Sequence, residues 1–207
     1  MKLNPEKQQR IIDASAKVFA KEGYHHASIA NICAEAGISN GALYKYFENK
    51  ESLFFTVIDY CTSKVDEIYR KHFHSRSTIF EAIENLFRGL AVFSVEYNLY
   101  LRIYSNLGSS SMNRFADETA EKFRKASSIY TIKLVEESKE SGEIRKSMET
   151  EKAAYLIDTI ITMYSYSLVS EYQKLRFKSF FAGLNDSLST EDLIERIISM
   201  LRQALEN

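Results

Sequence analysis

The 207-residue sequence predicts an all-α fold, and three observations carry that prediction. One Pro and seven Gly leave too few turn formers for a β-rich chain. Apolar residues recur at helical spacings of three, four and seven, and no segment sustains the alternation of a half-buried strand. Helix-start residues and glycines follow one another at intervals suited to ends of helices.

The first helix starts at Pro5, a residue that the opening turn tolerates, and carries Ile11, Ile12, Val18 and Phe19 up to Gly23. Ser28 precedes Ile29, Ile32, Cys33 and Ala36, and Gly37 closes that short run. Ser39 opens a third helix expected to reach Phe47. A long helix from about Asn49 to Phe73 then bears Phe54, Val57, Ile58, Cys61, Val65 and Ile68. Thr78, Asn98, Ser111, Thr150 and Ser189 precede the later runs, and Thr78 with Glu81 and Ser189 with Asp192 have capping-box spacing. Gly108, Gly142 and Gly183 are expected as left-handed C-caps. One later stripe runs Ala116–Ala120–Phe123–Ser127–Tyr130–Leu134, and two further helices are expected from Thr150 to Tyr172 and from Ser189 to Glu206.

The chain changes character near residue 50, from short helices with tight turns to long ones rich in Phe, Tyr and Leu. This divides it into an N-terminal three-helix domain, residues 1–49, and a larger helical domain, residues 50–207. No flexible linker separates them, and the helix starting near Lys50 bridges the two.

Bulk charge does not announce a nucleic-acid partner, because the formal net charge is −1. The first 53 residues carry seven Lys or Arg against six Asp or Glu, a slight local excess in the expected direction. Cys33 and Cys61 form no C-x-x-C and read as reduced thiols of a cytoplasmic protein. The polar opening is not a signal peptide, and the most apolar window, Ala153 to Val169, holds Asp158 and several hydroxyls. It therefore reads as a buried helix and not as a membrane span.

Glu35-Ala-Gly-Ile-Ser39 has the chemistry of a helix-turn-helix corner. Gly37 allows the sharp turn, Ile38 plugs the core between the helices, and Ser39 caps the recognition helix. Leu43 and Phe47 lie one turn apart and face inward, which leaves Asn40, Gly41, Ala42, Tyr44, Lys45 and Tyr46 toward solvent or DNA.

Over roughly residues 8 to 54 the sequence resembles the TetR family of bacterial repressors. The likeness is carried by Glu22-Gly-Tyr24, Ser28-Ile-Ala-Asn-Ile32, Ala36-Gly-Ile-Ser39, Gly41-Ala-Leu-Tyr44, Tyr46-Phe47 and Asn49-Lys-Glu51 to Leu53. It departs from the family's common pattern at Ser28, Asn40 and Tyr46, which bears on operator sequence. The resemblance implies phosphate contacts from Ser28, Tyr44, Tyr46 and Lys50, and base-edge or close backbone approach from Ser39, Asn40, Gly41 and Ala42. Lys45 is a further candidate phosphate contact.

The same resemblance implies a regulatory domain whose last two long helices form a homodimeric four-helix bundle. Their broad apolar stripes support this, since a helix apolar on several sides must be covered on several sides. A two-fold dimer would set two recognition helices about one DNA turn apart on double-stranded operator DNA. Thirteen Tyr and thirteen Phe supply walls for an effector pocket, with Tyr100, Tyr104, Phe123, Tyr130 and Tyr164 as candidate lining residues. Residues 98–145 are similar, more weakly, to the subgroup of that family that senses fatty acyl-CoA.

No nucleophile elbow, phosphate loop, dinucleotide fingerprint or H-E-x-x-H is present, so neither an enzyme nor a cofactor is expected. His72 and His74, two apart at a helix end, have poor spacing for a shared metal. The expected function is therefore a dimeric, cytoplasmic transcriptional repressor released from DNA by a small, largely apolar molecule. The rival is a DNA-bound protein with a structural, non-transcriptional role.

Overall fold

The computed structural model describes residues 5–73, 77–181 and 188–206, so the expectations placed on His74 and Gly183 lie outside the described residues. Among the described residues every regular element is helical. The helices are α1 (Pro5–His26), α2 (Ile29–Ala36), α3 (Asn40–Leu43), α4 (Lys50–Phe73), α5 (Ile79–Glu96) and α6 (Asn98–Asn106). They continue as α7 (Ala116–Phe123), α8 (Ile129–Glu140), α9 (Thr150–Ser167), α10 (Glu171–Phe181) and α11 (Thr190–Leu205). None of the described helices is long and apolar enough to cross a membrane.

The chain forms two compact units. The first comprises residues up to Thr62 together with Leu99–Thr119, and the second holds Ser63–Asn98 and the chain from Ala120 onward. In the first, Ile11, Phe19, Ile32, Leu43, Leu53, Phe54 and Val57 are buried. Phe115, from the later segment, joins them: its ring centroid lies 4.7 Å from Tyr24, 5.2 Å from Phe54 and 5.6 Å from Phe55. Such edge-to-face and tilted pairs add about 0.5–1.5 kcal/mol each to the burial of their area.

In the second unit α5 packs against α8, α9 and α11 around Phe80, Ile83, Leu86, Phe87, Ile157, Ile161, Ile194, Ile197 and Leu201. Both capping boxes form: Thr78 with Glu81 starts α5, and Ser189 with Asp192 starts α11. Arg88 joins the two helices, bonding Glu191 at 3.1 Å and Glu84 at 2.7 Å.

Several expected boundaries move, each for a local reason. The Thr150–Tyr172 helix is two helices, α9 and α10. Leu168 caps α9, its N–H shared between Tyr164 O and Ser165 O at 3.3 Å each, and the hydroxyls of Ser165 and Ser167 bond back to Ile161 O (2.8 Å) and Tyr164 O (2.6 Å). Thr150 is the first residue of α9, with Glu149 in the cap position, and Asn98 likewise lies inside α6, its amide donating to Ser94 O. Ser111 sits within a 3-10 turn, Ser110–Phe115, and Ser109 occupies the cap position. Gly37 is left-handed (φ 63°) and Gly142 has φ 85°, but Gly108 has no positive φ and closes its turn conventionally. Gly23 breaks α1 at φ 73°, ψ 163°, a positive-φ conformation that favours glycine but is not the left-handed helical cap expected there.

The stripe expected from Ala116 to Leu134 is also not one face. Ala116 and Ala120 are exposed, whereas Phe115 and Thr119 are buried. A π-helical turn, Arg124–Ser128, interrupts the run; Ala126 is buried within it, and the buried positions beyond it are Thr131, Leu134 and Val135.

Asp158, on α9, has no hydrogen-bond or ion-pair partner among the described residues, and burial raises its carboxyl pKa above the ordinary value. A carboxylate with a raised folded-state pKa costs stability above that pKa, and the cost is relieved as pH falls through it toward the unfolded-state value. Asp158→Asn is therefore expected to raise unfolding stability at neutral pH, with the gain fading on acidification. Denaturant melts at a series of pH values check this, and a gain that did not change with pH would refute the assignment.

Candidate nucleic-acid interface

The helix-turn-helix is assembled by contacts that the local sequence specifies. The Ser28 hydroxyl accepts from Asn31 N at 3.0 Å and starts α2. At its end Gly37 N donates to Ala34 O (3.2 Å) and Ile38 N to Cys33 O (3.0 Å), which satisfies carbonyls the helix leaves open. The Ser39 hydroxyl then accepts from Ala42 N at 3.2 Å and starts α3. Two contacts brace α2 on α1: Lys17 pairs with Glu35 at 2.9 Å, and the Asn31 amide bonds the Glu22 carboxylate at 3.1 Å.

The third helix is shorter than expected. It spans Asn40–Leu43, and Tyr44–Tyr46 form a turn in which Tyr46 N reaches Leu43 O at 2.9 Å. Leu43 O thus accepts a tightened three-residue bond from Tyr46 N beside the four-residue bond from Phe47 N at 3.1 Å. Leu43 (0% exposed) and Phe47 nevertheless face inward together.

On the outer surface Ser39, Asn40, Gly41, Tyr44 and Lys45 are exposed, Tyr44 to 52%. Ala42 and Tyr46 are half-buried, and Lys7 of α1 places its ammonium 6.0 Å from the Tyr46 ring. Gly41 is informative because nothing in the fold requires it. A Cβ there would meet no atom within 4 Å, and its φ is not positive. Glycine within a helix costs about 1 kcal/mol relative to alanine, and internal packing does not account for that cost here.

Lys50 is placed differently from the other candidates. Its ammonium donates to Tyr24 O (2.8 Å), Ala27 O (2.9 Å) and His25 O (3.4 Å), and lies 4.5 Å from the Tyr24 ring. Burial, and then the nearby Arg114, lower its pKa below the ordinary lysine value. The three carbonyls offset the loss of hydration, so Lys50 clamps the end of α1 instead of presenting a free charge. Lys50→Met is expected to cost about 1–3 kcal/mol of unfolding stability, the range for losing bonds to a charged donor. A chemical denaturation midpoint unchanged from the parent would refute the clamp.

Two further contacts of this unit carry no local sequence signal. Arg114 forms an ion pair with Glu51 at the start of α4, and His25 Nε2 lies 2.7 Å from Ser111 O.

The five aromatic residues expected to line one effector pocket fall in both units. Tyr100 and Tyr104 belong to the first, and Phe123, Tyr130 and Tyr164 to the second. The Tyr100 hydroxyl donates to Asp13 at 3.0 Å and the Tyr130 hydroxyl to Asp66 at 2.6 Å. Tyr164 is 1% exposed, its ring 4.7 Å from that of Phe87, and its hydroxyl has no partner among the described residues. Burial, followed by the charge of Glu191, pushes that hydroxyl's pKa up to about 12.

Comparison with known proteins agrees with this geometry. Residues 11–57 match the model for bacterial regulatory proteins of the tetR family. The fatty acid metabolism regulator protein of Bacillus subtilis (strain 168) is 25% identical over 161 residues, covering 76% of this chain and 80% of that protein. Among solved structures, the fatty acid degradation regulator FadR from Bacillus halodurans superposes with a TM-score of 0.73 at 20% identity, covering 97% of this chain and 96% of that one. FadR from Bacillus subtilis in complex with stearoyl-CoA gives 0.70 at 19% identity, covering 93% and 96%. These structural likenesses show the fold. Residues 11–57 are therefore a helix-turn-helix of the tetR type, and the whole chain shares its fold with these regulators.

Proposed function

We propose that this chain is a TetR-family transcriptional regulator that binds double-stranded operator DNA as a homodimer, represses transcription, and is released by a small, largely apolar effector. The observation that carries the DNA-binding reading is the exposed Ser39–Gly41 face, where Gly41 has no internal reason to be glycine. A bare backbone there lets α3 lie close to base edges, with Asn40 positioned to pair with adenine. Ser28, Tyr44, Lys45 and Tyr46 are the proposed backbone contacts, and Lys50 acts by holding the α1–α2 connection that carries Ser28. Lys45→Ala should accordingly reduce the salt dependence of binding by about one phosphate equivalent, whereas Lys50→Met should leave that slope unchanged.

Dimerisation is assigned to α9 and α11. Tyr155 on α9 is 75% exposed and Met200 on α11 is also exposed, large apolar side chains that a partner helix would cover. For the effector, Tyr164 is the strongest of the five aromatic candidates, since a buried hydroxyl without a partner suits a ligand's hydrogen bond. A long-chain acyl-CoA, whose acyl chain is the apolar part that would be buried, is the proposed effector class, because the Bacillus subtilis FadR structure holds stearoyl-CoA.

Fluorescence anisotropy with DNA from upstream of the protein's own gene, with and without stearoyl-CoA, tests the reading. Nanomolar, sequence-dependent binding that stearoyl-CoA weakens is expected, and DNA must weaken stearoyl-CoA binding by the same factor. Binding indifferent to every acyl-CoA would instead favour a structural role on DNA. No binding at all would overturn the assignment.

A further inference from the structure

The first unit contains a cavity of about 390 Å³ between the end of α1 and the segment from Ile103 to Met112. That is within the range of about 300–1,000 Å³ typical of small-molecule sites. Its walls are apolar and buried: Phe19, Tyr24, Phe54, Ile103 and Met112. Phe54 stands edge-on to Phe19 at 5.3 Å and to Tyr24 at 5.0 Å, while Phe19 and Tyr24 lie nearly parallel at 6.0 Å. Walls made of ring faces and edges favour a flat aromatic guest over a flexible chain. Gly23 lies on the lining, and a Cβ there would meet nothing within 4 Å, so no side chain closes that side.

The polar part of the lining is one-sided in its chemistry. It consists of His25, His26, Asn106, Ser109 and Ser111, with no carboxylate. His25 is engaged with Ser111 O, and the Ser109 and Ser111 hydroxyls lie 3.0 Å apart. Among the described residues, neither the His26 ring nor the Asn106 amide has a hydrogen-bond partner. Two donors are thus left to receive an acceptor group, and no acid is present to repel an anion.

We infer that this cavity binds a small aromatic carboxylate, its ring against Phe19, Tyr24 and Phe54 and its carboxylate on His26 and Asn106. The site also touches the DNA-binding machinery. Its Tyr24–His25 wall supplies carbonyls to Lys50 and leads directly to Ser28, the cap of α2. An occupant that favours one placement of this segment shifts operator affinity accordingly. That consequence rests on the proposed DNA binding, but the site does not.

The test uses the full chain without DNA and 2-naphthoate as the probe, so it succeeds or fails independently of the operator reading. Calorimetry should give saturable binding at one probe per chain, and the Met112 methyl resonance should shift with the same saturation. The cationic 2-naphthylmethylamine and the ring-free octanoate should each bind at least about tenfold more weakly. Met112→Trp, which fills the cavity, should abolish binding. His26→Ala, at an exposed position, should weaken naphthoate about three- to tenfold, the worth of one ordinary hydrogen bond. Absence of saturable binding, an unmoved Met112 signal, equal affinity for the amine, or indifference to both substitutions would each overturn the assignment.

Discussion

Gly41→Leu should leave the protein folded while reducing operator affinity by at least about 100-fold, a loss of the size that separates specific from non-specific binding in many regulators. The two halves of this expectation come from one measurement of the structure. Because a Cβ at Gly41 meets no atom within 4 Å, a side chain can leave the backbone there without a clash, and the helix gains up to about 0.5–1 kcal/mol of propensity. The same side chain projects from the exposed face of α3, where the duplex would have to approach. Base contacts from Asn40 and Ser39 depend on the backbone lying within hydrogen-bond reach of base edges, and a leucine holds it away. Thermal melts and anisotropy on one sample read both quantities. Retained affinity would show that DNA does not meet this surface, and a loss of stability would show that the space is not open.

Phe54→Ala is expected to produce the largest loss of stability, about 3–5 kcal/mol, as is usual for removing a fully buried ring. Phe54 is 1% exposed and stands among Phe19, Tyr24, Phe55 and Phe115 at centroid separations of 5.0–6.0 Å. Each neighbour loses a partner, and the hole cannot collapse without moving α1, α4 and the Phe115 segment together. Phe54→Leu, which keeps most of the volume, should cost less than about 2 kcal/mol. Calorimetric melts of both variants distinguish a packed cluster from a loosely filled one. Equal, small effects would mean that Phe115 and its neighbours do not depend on Phe54.

The features legible in the sequence were those that neighbours along the chain decide. Gly37, Ser39, Leu43 and Phe47 lie within eleven residues of one another, so the turn, its cap and its inward face could be read from spacing and side-chain chemistry. The capping boxes at Thr78 and Ser189 are equally local. Lys50 was legible only as a charge near the right place. Its partners are 23 to 26 residues away, and nothing in Asn49-Lys-Glu51 encodes three carbonyls converging on the ammonium. The packing of Leu99–Thr119 with the N-terminal helices is likewise non-local, and with it the aromatic cluster and the cavity. Candidate pocket residues chosen for being Tyr or Phe carried no information about their partners. Asp13 claims one of those hydroxyls and Asp66 another. The break after α9 is a further case, since the apolar spacing runs on through Leu168 and does not register it.

The π-helical turn at Arg124–Ser128 has a consequence for how this chain tolerates changes of length. Such a turn holds one residue more than an α-turn while the rod stays unbroken, so it behaves as an absorbed insertion. Deleting one residue between Arg124 and Ser128 would let the ladder revert to ordinary α-geometry. A deletion one turn earlier or later would have no surplus to draw on, and would rotate Leu134 and Val135 off their buried face by roughly 100°.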